Sequence, residues 1–435
     1  MTMIRRRSTY AIATVGALLA ALTACGGDDD SGTTAEPSAL EGRGPITYVA
    51  GKDSTGVVPK LIDAWNADHP DEEVTFIELS TDANEQRSQM IQNAQTESDA
   101  YTVLSVDVVW TSEFAANQWI EALPEDEFPL DANLDAINET GMYNDQLYAV
   151  PASSDGGLLY YRTDLLEAAG IDGPPETWDE LKADCEKIQA TPEGEGVECF
   201  AGQFEKYEGL TVNFAEAVNS SGGVITEADG TPNVDTPEAL EGLTRLVDWF
   251  EDGTIPEEAI TYQEEEGRQA FQAGKLIFHR QWPYQYGLAN ATDGSSKVAG
   301  KFDVAPLPGD GDNPGASSLG GHNDAISAFA ENQATAVDFI KYMTSEESQR
   351  IAIEEASLAP SIESLYTDPQ LVKDFPYLPA LADSIDTAVP RPRVVPYGDV
   401  TEAIQDAAYG ALTGETSPED ALAELQTNLE ELTEQ

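Results

Sequence analysis

The chain has 435 residues, with 80 Asp and Glu against 22 Lys and Arg, a formal net charge of −58. A surface this negative repels phosphate backbones and anionic headgroups, which excludes nucleic acid and acidic lipid as partners. Hydrophobic residues make up 41% of the chain, so the roughly 390 residues beyond the N-terminal segment can bury a large core and are expected to form two domains.

At the N-terminus, Arg5, Arg6 and Arg7 precede an apolar run at residues 11–22, which leads into Leu22-Thr23-Ala24-Cys25. A cationic start, a short apolar core and small residues before a cut mark a secretory signal peptide, and the run is too short to span a bilayer. The Leu-Thr-Ala-Cys ending resembles a bacterial lipobox. That resemblance implies cleavage after residue 24, with Cys25 acylated and the rest of the protein held outside the cell, close to the membrane. Cleavage removes three arginines and no acid, moving the net charge from −58 to −61. Residues 25–44 read as a flexible tether.

From Pro45 the pattern alternates. Residues 46–50 form a short apolar run; Val57, Val58, Leu61, Ile62 and Trp65 recur at helical spacing; residues 74–79 are strand-like again. A polar helical stretch around Met90 leads to another apolar run at residues 103–110. Strands separated by helices predict βαβ units on a largely parallel sheet, hence an α/β fold, with ligands outside the carboxyl ends of the strands. Asp107 and Trp110 fall at such an end. Further on, Thr236-Pro237 and Ser417-Pro418 each place an N-cap and a first-turn proline before a leucine-rich helical face.

Cys185 and Cys199 lie fourteen positions apart. Outside the cell such a pair predicts a disulfide. His69, His279 and His322 are scattered and none stands at zinc-ligand spacing from a cysteine, so no metal is expected. The run from Asp310 to Gly315 begins like a calcium loop but places Pro314 at a ligand position and Gly321 where the bidentate acid belongs. Gly51-Lys52-Asp53-Ser54 lacks the earlier glycine and the hydroxyl next to lysine that a phosphate loop needs, and no nucleophile elbow is present.

The segment His279-Arg280-Gln281-Trp282-Pro283-Tyr284 sets aromatic rings directly after the apolar run Leu276-Ile277-Phe278. Rings with polar tips suit a sugar, whose C–H face stacks on an aromatic ring while its hydroxyls need fixed partners. Such rings also serve as core packing. A set of stretches then occurs in one order: Leu104-Ser105-Val106-Asp107-Val108-Val109-Trp110-Thr111; Tyr148-Ala149-Val150-Pro151 and Gly157-Leu158-Leu159-Tyr160-Tyr161-Arg162; Tyr207-Glu208-Gly209-Leu210; Phe271-Gln272-Ala273-Gly274-Lys275; Trp282-Pro283-Tyr284; Leu319-Gly320-Gly321-His322. The ordered set resembles extracellular solute-binding protein family 1, the sugar-binding lipoproteins of ABC importers, of the trehalose/maltose type.

The resemblance implies a two-lobed, type II periplasmic-binding-protein-like fold with the ligand between the lobes. It implies residues 45–152 with about 300–357 in the N-terminal lobe, and 153–299 with about 358–435 in the C-terminal lobe. Carried over position by position, it implies a binding set of Asp53, Asp107, Asp155, Glu264, Trp282, Tyr284, Gly320, Gly321 and one of Arg391 and Arg393. Asp155 stands where relatives usually have asparagine. These residue types suit sugar binding, since a carboxylate accepts from two neighbouring hydroxyls and a guanidinium donates a fork. Ordinary roles are also open, with Asp107 a strand-end cap, Glu264 on a solvated helix face and Arg391 in a surface ion pair. The implied protein is not an enzyme. It is a monomeric, lipid-anchored receptor without cofactor that captures a di- or oligosaccharide and hands it to the importer's permease. A secreted carbohydrate-active enzyme and a receptor for a non-sugar solute are the alternatives.

Overall fold

A computed structural model describes residues 40–227 and 229–433. The signal segment, Cys25 and most of the expected tether lie outside the described residues. The tether's last residues are docked on the protein: the Glu41 and Gly42 carbonyls accept from Gln333 N and Ala334 N at 3.0 and 3.1 Å, and Arg43 pairs with Glu72 and Asp338. Residues 41–43, which the sequence reading assigns to the tether, are thus bonded to the folded protein.

The strands, in chain order, are β1 (Ile46–Ala50), β2 (Val74–Glu78), β3 (Val103–Asp107), β4 (Ala149–Pro151), β5 (Asp155–Gly156), β6 (Leu158–Tyr161), β7 (Glu198–Ala201), β8 (Leu276–Gln281), β9 (Asp303–Pro306), β10 (Ser318–Gly320), β11 (His322–Ile326) and β12 (Val389–Pro390). A shorter hairpin, Met142–Tyr143 with Gln146–Leu147, stands apart from them. The first sheet has the order β2-β1-β3-β11-β4. Its β1, β2 and β3 pair in parallel through helices Val57–Asp68 and Ala83–Gln95, as the alternating pattern predicts. Strand β11 runs antiparallel to both β3 and β4, closing the sheet with residues more than two hundred positions away from β3.

The second sheet has the order β9-β6-β8-β7, with β6 antiparallel to β8 and β9 and only β8–β7 parallel. It is a mixed sheet, so the expectation of largely parallel pairing holds for β1–β3 and not here. Since β9 pairs with β6, the return to the first sheet comes at β11, after the boundary near residue 300 that the sequence suggested. Between the two sheets, β12-β10-β5 form a small third one from segments that pass between the lobes.

Each lobe has its own core. In the first lobe, Ile46, Tyr48, Trp65, Val103, Ile326 and Phe339 pack on one face of the sheet, and Val49, Leu104, Val106, Trp110 and Phe114 on the other. In the second, helix Glu208–Ser220 is buried along its whole length. Helix Pro237–Asp252 lies on it, capped by Thr236 Oγ1 accepting from Ala239 N and ended by Gly253 in the left-handed region at φ 80°. Its seam is Leu243, Leu246 and Trp249, with Leu240, Val247 and Phe250 only partly buried beside it.

Cys185 in helix Trp178–Gln189 and Cys199 in β7 form a disulfide, and both residues are buried. Closing a loop of this length is worth roughly 3 kcal/mol in the chain-entropy model. Reduction is expected to lower the melting temperature by several degrees, while alkylation of the unreduced native protein should label neither cysteine; two reactive thiols would contradict the bond.

Candidate ligand-binding site

The carboxyl end of β3 faces the second lobe. Asp107 terminates β3, and its Oδ1 accepts both from Val109 N at 3.2 Å and from Arg391 Nη2 at 2.8 Å. It therefore caps its own strand end and also reaches across to the other lobe. Arg391 is 3% exposed, far from the surface pairing open to it in sequence, and its Nη1 bonds Glu208 on the buried helix. Glu208 also accepts from the hydroxyls of Tyr397 and Thr401. The Arg391 Nε–H has no partner among the described residues. Two further contacts join the lobes nearby, Gln263 to Asp82 at 3.0 Å and Asn84 to Gln405 at 3.3 Å.

Arg391 is thus the inward-facing arginine. Arg393 is exposed and donates to the Glu139 carbonyl at 2.9 Å, which removes it from this set. Asp53 is also elsewhere engaged: one oxygen accepts from Thr55 N, Thr55 Oγ1 and Gly56 N, and the other from Val58 N. It holds the turn that leads into helix Val57–Asp68, whose N-cap is Gly56, with no oxygen free of a protein donor.

A second group gathers around Gly320, two residues before His322, the register partner of Asp107. Asp155 and Gly320 are register partners across β5 and β10. A Cβ placed on Gly320 would lie 2.8 Å from Trp282 Cζ3 and 3.3 Å from the Asp155 Cβ, so the bare glycine is what lets the indole edge approach the acid. Gly321 has φ +113°, a conformation that L side chains rarely adopt, and its carbonyl accepts from Val108 N at 3.3 Å. It ties β10 to the residue just after Asp107. Of the six tryptophans, Trp119 and Trp282 alone are incompletely buried.

The Trp282 ring rests on a guanidinium, with Arg280 Cζ 3.9 Å from its centroid. Arg280 is 1% exposed and forked onto Glu216, with Nε to Oε2 at 2.7 Å, while its Nη1 donates to Gln203 at 3.1 Å. Tyr284 donates to Glu265 at 2.9 Å, and Glu264 opens helix Glu264–Gln272 half-buried. Burial pushes the Glu264 carboxyl up. Burial also pushes the Asp155 carboxyl up to about 7, the Arg280 charge opposing and Asp107 adding to the rise.

The residues that sequence reasoning missed are Glu208, Glu216, Arg280 and Tyr397. All four are buried and charged or hydroxyl-bearing, and they hold Arg391 and the partly exposed Trp282 ring in place. Glu216 had no local signal: at 100° per residue it falls with Gly209, Asn213 and Ser220 on the one side that Leu210, Val212, Phe214, Ala215, Ala217 and Val218 leave free, which reads as the solvated face of a helix although the whole helix is buried.

The family described as bacterial extracellular solute-binding protein matches residues 51–350. A relative described as a probable ABC transporter-binding protein, from Deinococcus radiodurans, is 34% identical over 381 residues, 85% of this chain and 89% of that protein. The maltose-bound structure of T. maritima MalE3 superposes with TM-score 0.84 at 34% identity, covering 89% of this chain and 99% of that one. A solute-binding protein from Agrobacterium radiobacter K84, solved with ribitol, gives TM-score 0.79 at 25% identity, covering 91% and 100%. With two lobes, interlobe segments and a polar and aromatic cleft of this kind, the chain belongs to the bacterial extracellular solute-binding proteins and has their two-lobed type II fold.

Proposed function

We propose that this protein is the lipid-anchored receptor of an ABC importer for a di- or oligosaccharide of trehalose or maltose type, held between the lobes and passed unchanged to the permease. The observation that carries this reading is the partly exposed Trp282 ring, its edge beside Asp155, with Asp107 of the first lobe joined across to the second by Arg391. An aromatic face flanked by charged hydrogen-bonding groups suits a pyranose. The maltose bound by the T. maritima relative supports the solute class.

In this reading Trp282 stacks on a sugar ring, while Asp155, Glu264, Tyr284 and the backbone at Gly320 and Gly321 line the same wall. Asp107 and Arg391 fix hydroxyls from the other side. The test is calorimetry and thermal shift against trehalose, maltose, mannitol and ribitol. Trehalose or maltose should raise the melting temperature by mass action, about 2.7 kcal/mol at a hundredfold excess over Kd. Absence of any shift with all four would overturn the proposal. Prolonged incubation followed by mass spectrometry should return the bound sugar intact, whereas cleaved product would favour the carbohydrate-active enzyme.

The anchor rests on Leu22-Thr23-Ala24-Cys25. Cys25→Ala is expected to move the protein from the membrane fraction into the medium, because no helix among the described residues is long and apolar enough to cross a membrane. Equal retention of the variant would show that something other than Cys25 holds it.

A further inference from the structure

The cleft walls carry more acid than base, and among these acids Asp155 is the one whose carboxylate no side chain contacts. Glu216 takes the Arg280 fork, and Asp107 and Glu208 share Arg391. The Asp155 carboxylate has no hydrogen-bond or ion-pair partner among the described residues, although it sits beside Gly320 and the Trp282 ring edge. The Arg280 charge acts on it, but that guanidinium already donates to Glu216 and Gln203. Asp155 is partly buried, and a carboxylate short of water and without a counter-ion is unfavourable, which either a proton or an incoming cation relieves.

Resting on the sugar-receptor reading above, we propose that Asp155 selects a hydroxylated solute bearing a protonated nitrogen, an amino sugar or amino polyol, whose ammonium group supplies the counter-ion that the protein withholds. The groups facing Asp155 are consistent with that role. Arg280 and Asp107 act on it with opposite signs, and Tyr160, Tyr366 and Tyr377 from three other elements are neutral phenols whose ionisation its charge opposes. Burial raises the Asp155 pKa to about 7, so below that pH a neutral sugar is met by the protonated acid. An ammonium group is met by the carboxylate, so below that pH its binding expels a proton into solvent. Affinity for the amine therefore rises as Asp155 ionises between about pH 5.5 and about pH 7, while affinity for the neutral sugar does not.

The experiment is calorimetry of the whole mature protein with trehalose, maltose and the four monoamino trehaloses, each bearing its amine at C2, C3, C4 or C6, in buffers of different ionisation enthalpy. At least one amino isomer should bind at least about tenfold tighter than trehalose near neutral pH, with proton release. Asp155→Asn, which preserves shape, should abolish both the preference and the proton release while leaving the melting temperature without sugar within a few degrees of the wild type. Trehalose or maltose binding with all amino isomers equal or weaker would overturn this inference and leave the proposed function standing. Retention of the preference in Asp155→Asn would likewise overturn it. Failure of every sugar, neutral and amino, would remove the proposed function and this inference with it.

Discussion

Replacing Glu216 by alanine should destabilise the protein by about 3–5 kcal/mol, because it leaves the Arg280 guanidinium buried without its counter-ion. Arg280 is 1% exposed and Glu216 is 3% exposed. The acid also accepts from Ser318 N at 3.1 Å, so its loss orphans a backbone donor at the start of β10 as well. In urea the transition midpoint should fall with the slope unchanged. The paired replacement Glu216→Leu with Arg280→Met should recover much of the loss, since apolar residues of similar volume often replace a buried ion pair at little cost. A single variant as stable as the wild type would mean that water reaches Arg280.

Trp282→Ala is expected to weaken binding of trehalose or maltose by about 1.5–4 kcal/mol, the range for aromatic anchors at desolvated contacts. The fold should survive. The ring is partly exposed and packs on a guanidinium, while the second lobe's core is built from Trp178, Trp249, Phe200, Phe271 and Phe278. The melting temperature without sugar should therefore drop by only a few degrees, and the ligand-induced rise should shrink sharply. A variant that unfolds, or one that binds as tightly as the wild type, would place the ring in the core and displace the cleft from this wall.

Local signals carried the legible part of the fold. The alternation through β1, β2 and β3 and the caps at Thr236 and Ser417 each act within a few residues, and each element forms where its pattern begins. Asp53 was legible too, as Asp-Ser-Thr-Gly ahead of a helical run is an Asx turn, and the family resemblance drew it into the binding set instead. The insertion of β11 between β3 and β4 had no local cue, because its partners are fixed only when distant segments meet. Arg391 and Arg393 could not be told apart for a related reason. The chain leaves β12 through Pro392 and Pro396, so no strand or helix period relates their directions, and only the positions of Asp107 and Glu208 draw one of them inward. In the site, the partly exposed members were readable by residue type, whereas the buried ones depend on pairs such as Glu216 with Arg280, sixty-four positions apart.

The late arrival of β11 shapes how the chain must be made. As the polypeptide emerges from its N-terminus, β1, β2 and β3 can pair once residue 107 is out, but the free edge of β3 stays without a neighbour until His322 appears, and β4 has no strand beside it before then. During that interval an open row of amides and carbonyls on an apolar strand is available to other chains. A nascent or translocating copy is therefore most vulnerable to aggregation while the whole second sheet is being delivered, and any truncation ahead of His322 would hold it permanently at that stage.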